Sequence, residues 1–332
     1  MAAESKRTVL VALGANALIA LAKLAAGLLS GSSSMLAEAA HSVADTLNQV
    51  FLLTSLKVAE RPADRDHPFG YGKAQFFWSF LAAVGIFVAG AVFSVYEGVH
   101  TLVGGNSKVD PLVPYLVLAV SFAAEGASWA RAVTQLRGEA RREGRTLLAH
   151  VRASKDPTVK TVLSEDSAAL IGILLAAAGV GLHYLTGSAV WDGLAAIAIG
   201  ILLGVVAIVL GRDTRDLLIG ESADPELVVG VHEVVTAEPE VTDVVELLTM
   251  HLSAESVLVA LRVDLDDRLS AAQVEHFSER VERKLRGRWP EIAQFFLDPT
   301  RPDPALARRT REHVQQLAGV VRREADVSGS AP

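Results

Sequence analysis

Six apolar runs, each about as long as a bilayer is thick, constrain this chain more than any other feature. They lie at roughly residues 8–30, 33–57, 74–102, 111–134, 159–184 and 189–211. A helix rises about 1.5 Å per residue, so roughly 20 apolar residues cross the hydrocarbon layer. Backbone groups in that layer must pair within the protein, and runs of this length read as helices. Residues 74–96 and 193–211 carry no charged side chain. The first run reads as a span rather than a cleaved leader, because Gly31–Ser34 passes straight into the second.

The charges are divided unevenly. Residues 1–215 hold 18 Lys+Arg and 16 Asp+Glu, a balance of +2, while residues 216–332 hold 13 and 22, a balance of −9. A 51% hydrophobic composition with a net charge of −7 is therefore the sum of a membrane part and an acidic soluble part. The acidity argues against a nucleic-acid partner. The absence of cysteine excludes disulfides and thiolate metal sites. No Gly-x-x-x-x-Gly-Lys-[Ser/Thr] loop is present, which argues against an ATP-driven pump. Residues 131–160 carry eight basic groups (Arg131, Arg137, Arg141, Arg142, Arg145, Arg152, Lys155, Lys160) against three acidic. Arg61 and Arg65 mark the loop before the third run, whereas the alternate loops are poor in charge and 97–111 has only Lys108 as a base. By the positive-inside rule both termini are expected in the cytoplasm. An Ala/Arg-rich chain of this kind suggests a bacterial plasma membrane.

Three parts are expected: a six-helix membrane domain at 1–215, a small α+β domain at 216–299, and a charged tail at 300–332. In the second part, Pro225–Glu238 reads as a helix with Asp224 as its N-cap. Val241–Leu252 and Ser256–Asp266 read as strands, the latter with Val257, Val259, Leu261, Val263 and Leu265 at period two. Ser270 is expected to cap a helix reaching about Arg288 with Val274, Phe277, Val281 and Leu285 on one stripe. Ala293–Leu297 reads as a last strand stopped by Asp298-Pro299. The order suits an antiparallel sheet with helices on one face. The tail should hold an amphipathic helix over 305–324 and then disorder.

A charge at mid-bilayer costs roughly 2.5–3.5 kcal/mol on insertion scales, so each one requires a reason. Glu38, His41, Asp45 and Asn48 follow one another at +3, +4 and +3, one stripe of a helix. His41 and Asp45, one turn apart, can reach the same ion. Glu165 and Asp166 are adjacent and point about 100° apart, so only one can face that ion squarely. Glu125 is either a proton carrier or an interhelical hydrogen-bond partner. Asp192 and Glu97 read as solvated helix ends, and Lys23 as a snorkelling side chain. Imidazole with carboxylates suits Zn²⁺, Mn²⁺, Co²⁺ or Fe²⁺ and is a poor match for Cu⁺. Ligands must be deprotonated to bind, so metal and protons compete for the same groups.

At these residues the chain resembles the cation diffusion facilitator family of divalent-metal/proton antiporters. The likeness covers about residues 8–299. It includes His41-Ser-Val-Ala-Asp45, His67-Pro-Phe-Gly-Tyr-Gly-Lys73, an acidic motif in the fifth run, and Asp298-Pro299 at the end of a ferredoxin-like domain. The resemblance implies a homodimer that dimerises through that domain. It implies alternating access at a site formed by the second and fifth runs, and export of metal, zinc first, against protons. Manganese, cobalt or iron, or a non-transporting membrane regulator, are the alternatives. No prosthetic group and no enzymatic activity are implied. The inherited metal site is His41, Asp45 and Asp166, with a fourth ligand from Glu165, Glu38, Asn48 or water. The usual His or Asp four residues before Asp166 is here Val162, a pattern similar to the zinc transporter 9-like branch. In the soluble domain Arg262 stands where a regulatory histidine would sit. His232, His251 and His276 read as satisfied surface histidines, so that domain is expected to dimerise rather than to sense metal.

Overall fold

The computed structural model describes residues 2–104, 110–142, 144, 146–153 and 157–329, with side chains described over 13–151 and 163–323 within those ranges. Lys108, Arg145 and Lys155 of the loop-charge argument lie outside the described residues, as do the side chains of Arg152, Lys160 and Val162. The chain divides into two compact units. The first comprises residues 1–62, 74–141 and 156–215, the second residues 63–73, 142–155 and 216–332.

The membrane unit is a helix bundle. It contains α1 (Ala2–Ser30), α2 (Ser33–Ala59), α3 (Ala74–Gly85) continued through a π-helical stretch (Ile86–Val92) into α4 (Phe93–Gly104), then α5 (Leu112–Arg142), α7 (Pro157–Thr186) and α8 (Val190–Ile219). A short α6 (Leu147–Ala153), which belongs to the second unit, precedes α7 in the chain. Among the described residues, five helical stretches are long and apolar enough to cross a membrane. The exception, α2, is 27 residues long and falls short in apolarity because of its polar stripe. The bundle's interior is built largely from small side chains such as Ala26, Ala37, Ala44, Ala168, Ala176 and Ala196. Large apolar side chains face outward instead: Leu29, Val103 and Leu185 are at least 78% exposed. Small residues inside let the helices approach closely, and the large ones outside leave an apolar outer surface. Gly98 shows the limit, since a Cβ there would sit 2.6 Å from the Gly193 carbonyl oxygen of α8.

Asp192, in the first turn of α8, is not a solvated helix end. It is fully buried and accepts hydrogen bonds from the Ser32 hydroxyl (2.8 Å), the Ser33 N–H (2.6 Å), the Ser33 hydroxyl (3.1 Å) and the Ser34 N–H (3.3 Å). The Ser34 hydroxyl donates to it as well. The N–H groups of a first helical turn have no partner within the helix, and a carboxylate satisfies both them and the positive end of the helix dipole.

The second unit contains α9 (Pro225–Thr236), β1 (Val241–Ser253), β2 (Ser256–Leu265), α10 (Ala271–Arg288), β3 (Ile292–Pro299) and α11 (Pro304–Gly329). The order matches the expected one, and the sheet runs β1-β2-β3. It is mixed rather than antiparallel: β1 pairs antiparallel with β2, but β3 lies parallel to β2, with Leu261 opposite Leu297. The reason is the connection, because α10 between β2 and β3 carries the chain back to the same end, as a crossover helix does. Alternation in β2 buries Val257, Val259, Leu261 and Val263, and they meet Phe277, Val281 and Leu285 of α10 with Val228, Val231 and Val235 of α9. The Gln273 side chain accepts the Ser270 N–H at 2.9 Å, half of a capping box that starts α10. Strand β3 continues through Asp298-Pro299 instead of stopping before them, and Pro299 sits at its last position, where a missing N–H costs least. Helix α11 runs past its expected end to Gly329. Ala307 and Val314 are buried, and Thr310 donates to the Val245 carbonyl at 2.9 Å. His251 is buried opposite Val257 on β1 rather than on the surface, while His276 is exposed and His232 half-buried.

The segment containing His67-Pro-Phe-Gly-Tyr-Gly-Lys73 belongs to this second unit. Tyr71 donates its hydroxyl to Asp64 (2.8 Å), which also accepts the His67 N–H (2.8 Å) and the Asp66 N–H (3.0 Å). These bonds hold the Asp64 carboxyl below the usual carboxylate range.

Candidate metal path in the membrane unit

The polar stripe of α2 faces the interior of the bundle. Glu38, His41 and Asn48 are buried, and Asp45 is half-buried. His41 Nδ1 lies 3.4 Å from Asp45 Oδ1, the i, i+4 contact that the spacing predicts. Across the interface with α7, Asn48 donates to Glu165 Oε2 at 2.5 Å. Asp166, one residue on, turns toward α5, where Ser128 hydrogen-bonds its carboxylate and Glu125 lies in Coulombic reach. The two adjacent acids thus serve two neighbours, as the 100° turn between them requires. Asp45 lies within Coulombic reach of Glu165, Glu125, Asp166 and Lys23 together.

This is a constellation rather than a closed cage. Among the described residues, no three His, Asp or Glu side chains converge closely enough to hold an ion. What the path has instead is buried capacity. Both ring nitrogens of His41, Asp45 Oδ1, Glu165 Oε1 and Asp166 Oδ2 are buried with no hydrogen-bond partner. Native interiors seldom leave such atoms unpaired, and a cluster of them needs a ligand, a proton or a reaction to explain it.

The structure also brings in residues that sequence reasoning missed. Lys23 on α1 is wholly buried and does not snorkel. Its ammonium lies 2.9 Å from Glu38 Oε2 and 3.0 Å from Glu125 Oε1. Glu38 and Glu125 are therefore tied to a cation of the protein itself. Gly172 of α7 makes room for Glu38, because a Cβ there would collide with Glu38 Oε1. Trp129 Nε1 donates to Ser167 at 3.0 Å, which fastens α5 to α7 beside the acidic pair. The signal was present in the spacing: Glu125, Ser128 and Trp129 fall at i, i+3 and i+4, one face of a helix.

Two family descriptions match the chain: "Cation efflux transmembrane domain" over residues 9–219 and "Cation efflux protein, cytoplasmic domain" over residues 223–297. The mouse "Proton-coupled zinc antiporter SLC30A9, mitochondrial" is 32% identical over 294 residues, covering 88% of this chain and 52% of the relative. "Metal tolerance protein C4" of Arabidopsis thaliana is 36% identical over 223 residues, covering 67% of this chain and 49% of the relative. "Manganese efflux system protein MneP" of Bacillus subtilis is 24% identical over 295 residues, covering 88% of this chain and 95% of the relative. The chain spans about half the length of the mouse and plant relatives.

Proposed function

The chain belongs to the cation efflux family, an integral membrane family, and from that premise we propose that it exports a divalent metal ion, zinc first, from the cytoplasm in exchange for protons. The observation that carries this reading is the row of buried, unpartnered donor atoms on α2 and α7: His41, Asp45, Glu165 and Asp166. Imidazole nitrogen and carboxylate oxygen bind a borderline divalent ion only when deprotonated. Protons arriving from one side then displace metal, and metal arriving from the other displaces protons. His41, Asp45 and Asp166 hold the ion. Glu165 supplies the fourth ligand after leaving Asn48, and Glu125 passes protons. Alternating access opens the α2–α7 interface to one side at a time, in a homodimer joined through the second unit. The setting is a bacterial plasma membrane with both termini in the cytoplasm.

A second reading keeps the mechanism and changes the cargo. Three carboxylates against one imidazole make a hard donor set, which favours Mn²⁺ over Zn²⁺ more than a histidine-rich site would. The relatives' names span both metals.

Everted vesicles under an imposed pH gradient test both readings. Wild type should accumulate at least one of Zn²⁺, Mn²⁺, Co²⁺ and Fe²⁺, and Asp45→Ala should reduce uptake about 100-fold or more, the loss expected when a ligand is removed from a site whose occupancy drives the step. Normal transport by Asp45→Ala would overturn the site. Equal uptake with the proton gradient clamped would overturn exchange. No uptake of any of the four metals by wild type would favour a non-transporting membrane regulator.

A further inference from the structure

Lys23 takes no part in the mechanism above, yet it is the one fully buried lysine among the described residues. Burying an ammonium in a membrane is costly, and a helix-packing contact does not require a charge. Its two partners come from different helices, Glu38 of α2 at 2.9 Å and Glu125 of α5 at 3.0 Å, so it sits where α1, α2 and α5 meet. Glu38 precedes His41 by one turn of α2, and both His41 and Asp45 lie within the ammonium's Coulombic reach. The other oxygens of the two glutamates, Glu38 Oε1 and Glu125 Oε2, are buried with no hydrogen-bond partner. The triad thus carries a formal charge of −1 beside the path, and it would carry −2 without Lys23.

Resting on the metal–proton exchange proposed above, we propose that Lys23 is a built-in counter-cation that holds down metal affinity at His41, Asp45 and Asp166 so that the ion can leave. A dication on Asp45 and the Lys23 ammonium repel one another through a low-dielectric interior, where such forces are strong. Selective passage needs a site attractive enough to fill and weak enough to empty. A fixed positive charge next to an acidic path supplies the second half of that requirement. Lys23 is in this sense a positioning and tuning residue that does not itself touch the cargo.

The test is charge arithmetic on the full chain. Zn²⁺ and Mn²⁺ affinities are measured by calorimetry on purified protein at fixed pH, and KM and Vmax by pH-driven uptake into proteoliposomes. Lys23→Gln should tighten metal binding about tenfold and lower both KM and Vmax, because removing a like charge favours the bound ion and slows its release. Lys23→Arg, which keeps the charge, should restore wild-type values. Glu38→Gln should weaken binding, and Lys23→Gln combined with Glu38→Gln should return it toward wild type. An equal or weaker affinity in folded Lys23→Gln, or a uniform weakening across the set, would reduce Lys23 to a helix fastener and overturn the proposal. If Lys23→Gln alone does not fold, the same decision rests on Glu38→Gln against the double variant, where loss of Lys23 must still tighten binding. Absence of metal binding by wild type, or wild-type affinity in Asp45→Ala, would instead bring down the transport reading and this proposal with it.

Discussion

The carboxylates along the α2–α7 stripe are held differently from most of those of the second unit. On α10 and the loop before β1, Glu238 accepts from Lys284 (2.8 Å) and Arg280 (3.4 Å), and Glu240 accepts from Arg280 (2.6 Å). Arg262 of β2 pairs with Asp298 (3.2 Å) and Glu246 (3.5 Å), and Arg311 of α11 reaches Asp243 at 2.7 Å. Glu238 is buried and Glu240 keeps one buried oxygen unpaired, but each is held by a cation, and the remaining pairs are partly exposed, where each contributes little. Along α2 and α7, Glu38 and Glu165 are buried and Asp45 and Asp166 half-buried, and four of their oxygens (Glu38 Oε1, Asp45 Oδ1, Glu165 Oε1 and Asp166 Oδ2) are buried without a hydrogen-bond partner. A fold under selection for stability alone would not keep such atoms. The difference separates charge used for solubility and local order from charge held ready for a ligand.

That comparison can be broken most directly at Asp45. Asp45→Ala should lose transport about 100-fold or more while its melting temperature in detergent stays level or rises, as expected when a strained functional group is removed. A large fall in melting temperature would mean that the unpaired acids support the fold and that the contrast is false. The next largest effect belongs to the second unit's core. Phe277→Ala should cost this unit about 3–5 kcal/mol by leaving a cavity against Leu261 and Val281. Hydrogen exchange along α10 would report it, and an unchanged exchange rate would show that apolar packing is not what holds this unit. The smallest effect is at the surface. Arg280 holds the Glu240 carboxyl below its ordinary value of about 4.5, chiefly through their hydrogen bond. A depressed acid contributes stability above its unfolded value and loses it as pH falls through the folded one. Arg280→Ala should therefore cost about 1 kcal/mol or less at neutral pH and flatten the fall in stability below about pH 4.5. A loss as large as that of Phe277→Ala would make this pair structural.

The parts legible in the sequence were the local ones. Apolar run length marked the spans, and period-two alternation in Val257–Val263 marked β2 to within a residue of its end. The +3, +4, +3 stripe on α2 put Glu38, His41, Asp45 and Asn48 on one inward face. What escaped depended on partners far away in the chain. Lys23 looked isolated because its partners lie 15 and 102 residues on. Asp192 looked like a helix end because the serines it serves are some 160 residues earlier. The parallel pairing of β3 with β2 was concealed for a different reason, since strand patterning is the same in either direction and only the crossover through α10 decides it.

The cap that Asp192 places on α2 also bears on the order in which the molecule is made. Synthesis delivers Ser34 first and Asp192 only 158 residues later. At roughly 5–20 residues per second, α1 and α2 exist for about 8–30 s before their acceptor emerges. Over that interval the Ser33 and Ser34 N–H groups lack their Asp192 acceptor and water takes its place, so the α1–α2 turn is expected to remain at a hydrated boundary. The first hairpin of the bundle is therefore completed by its last helix, and a nascent chain halted before α8 is an unfinished assembly rather than a smaller stable one.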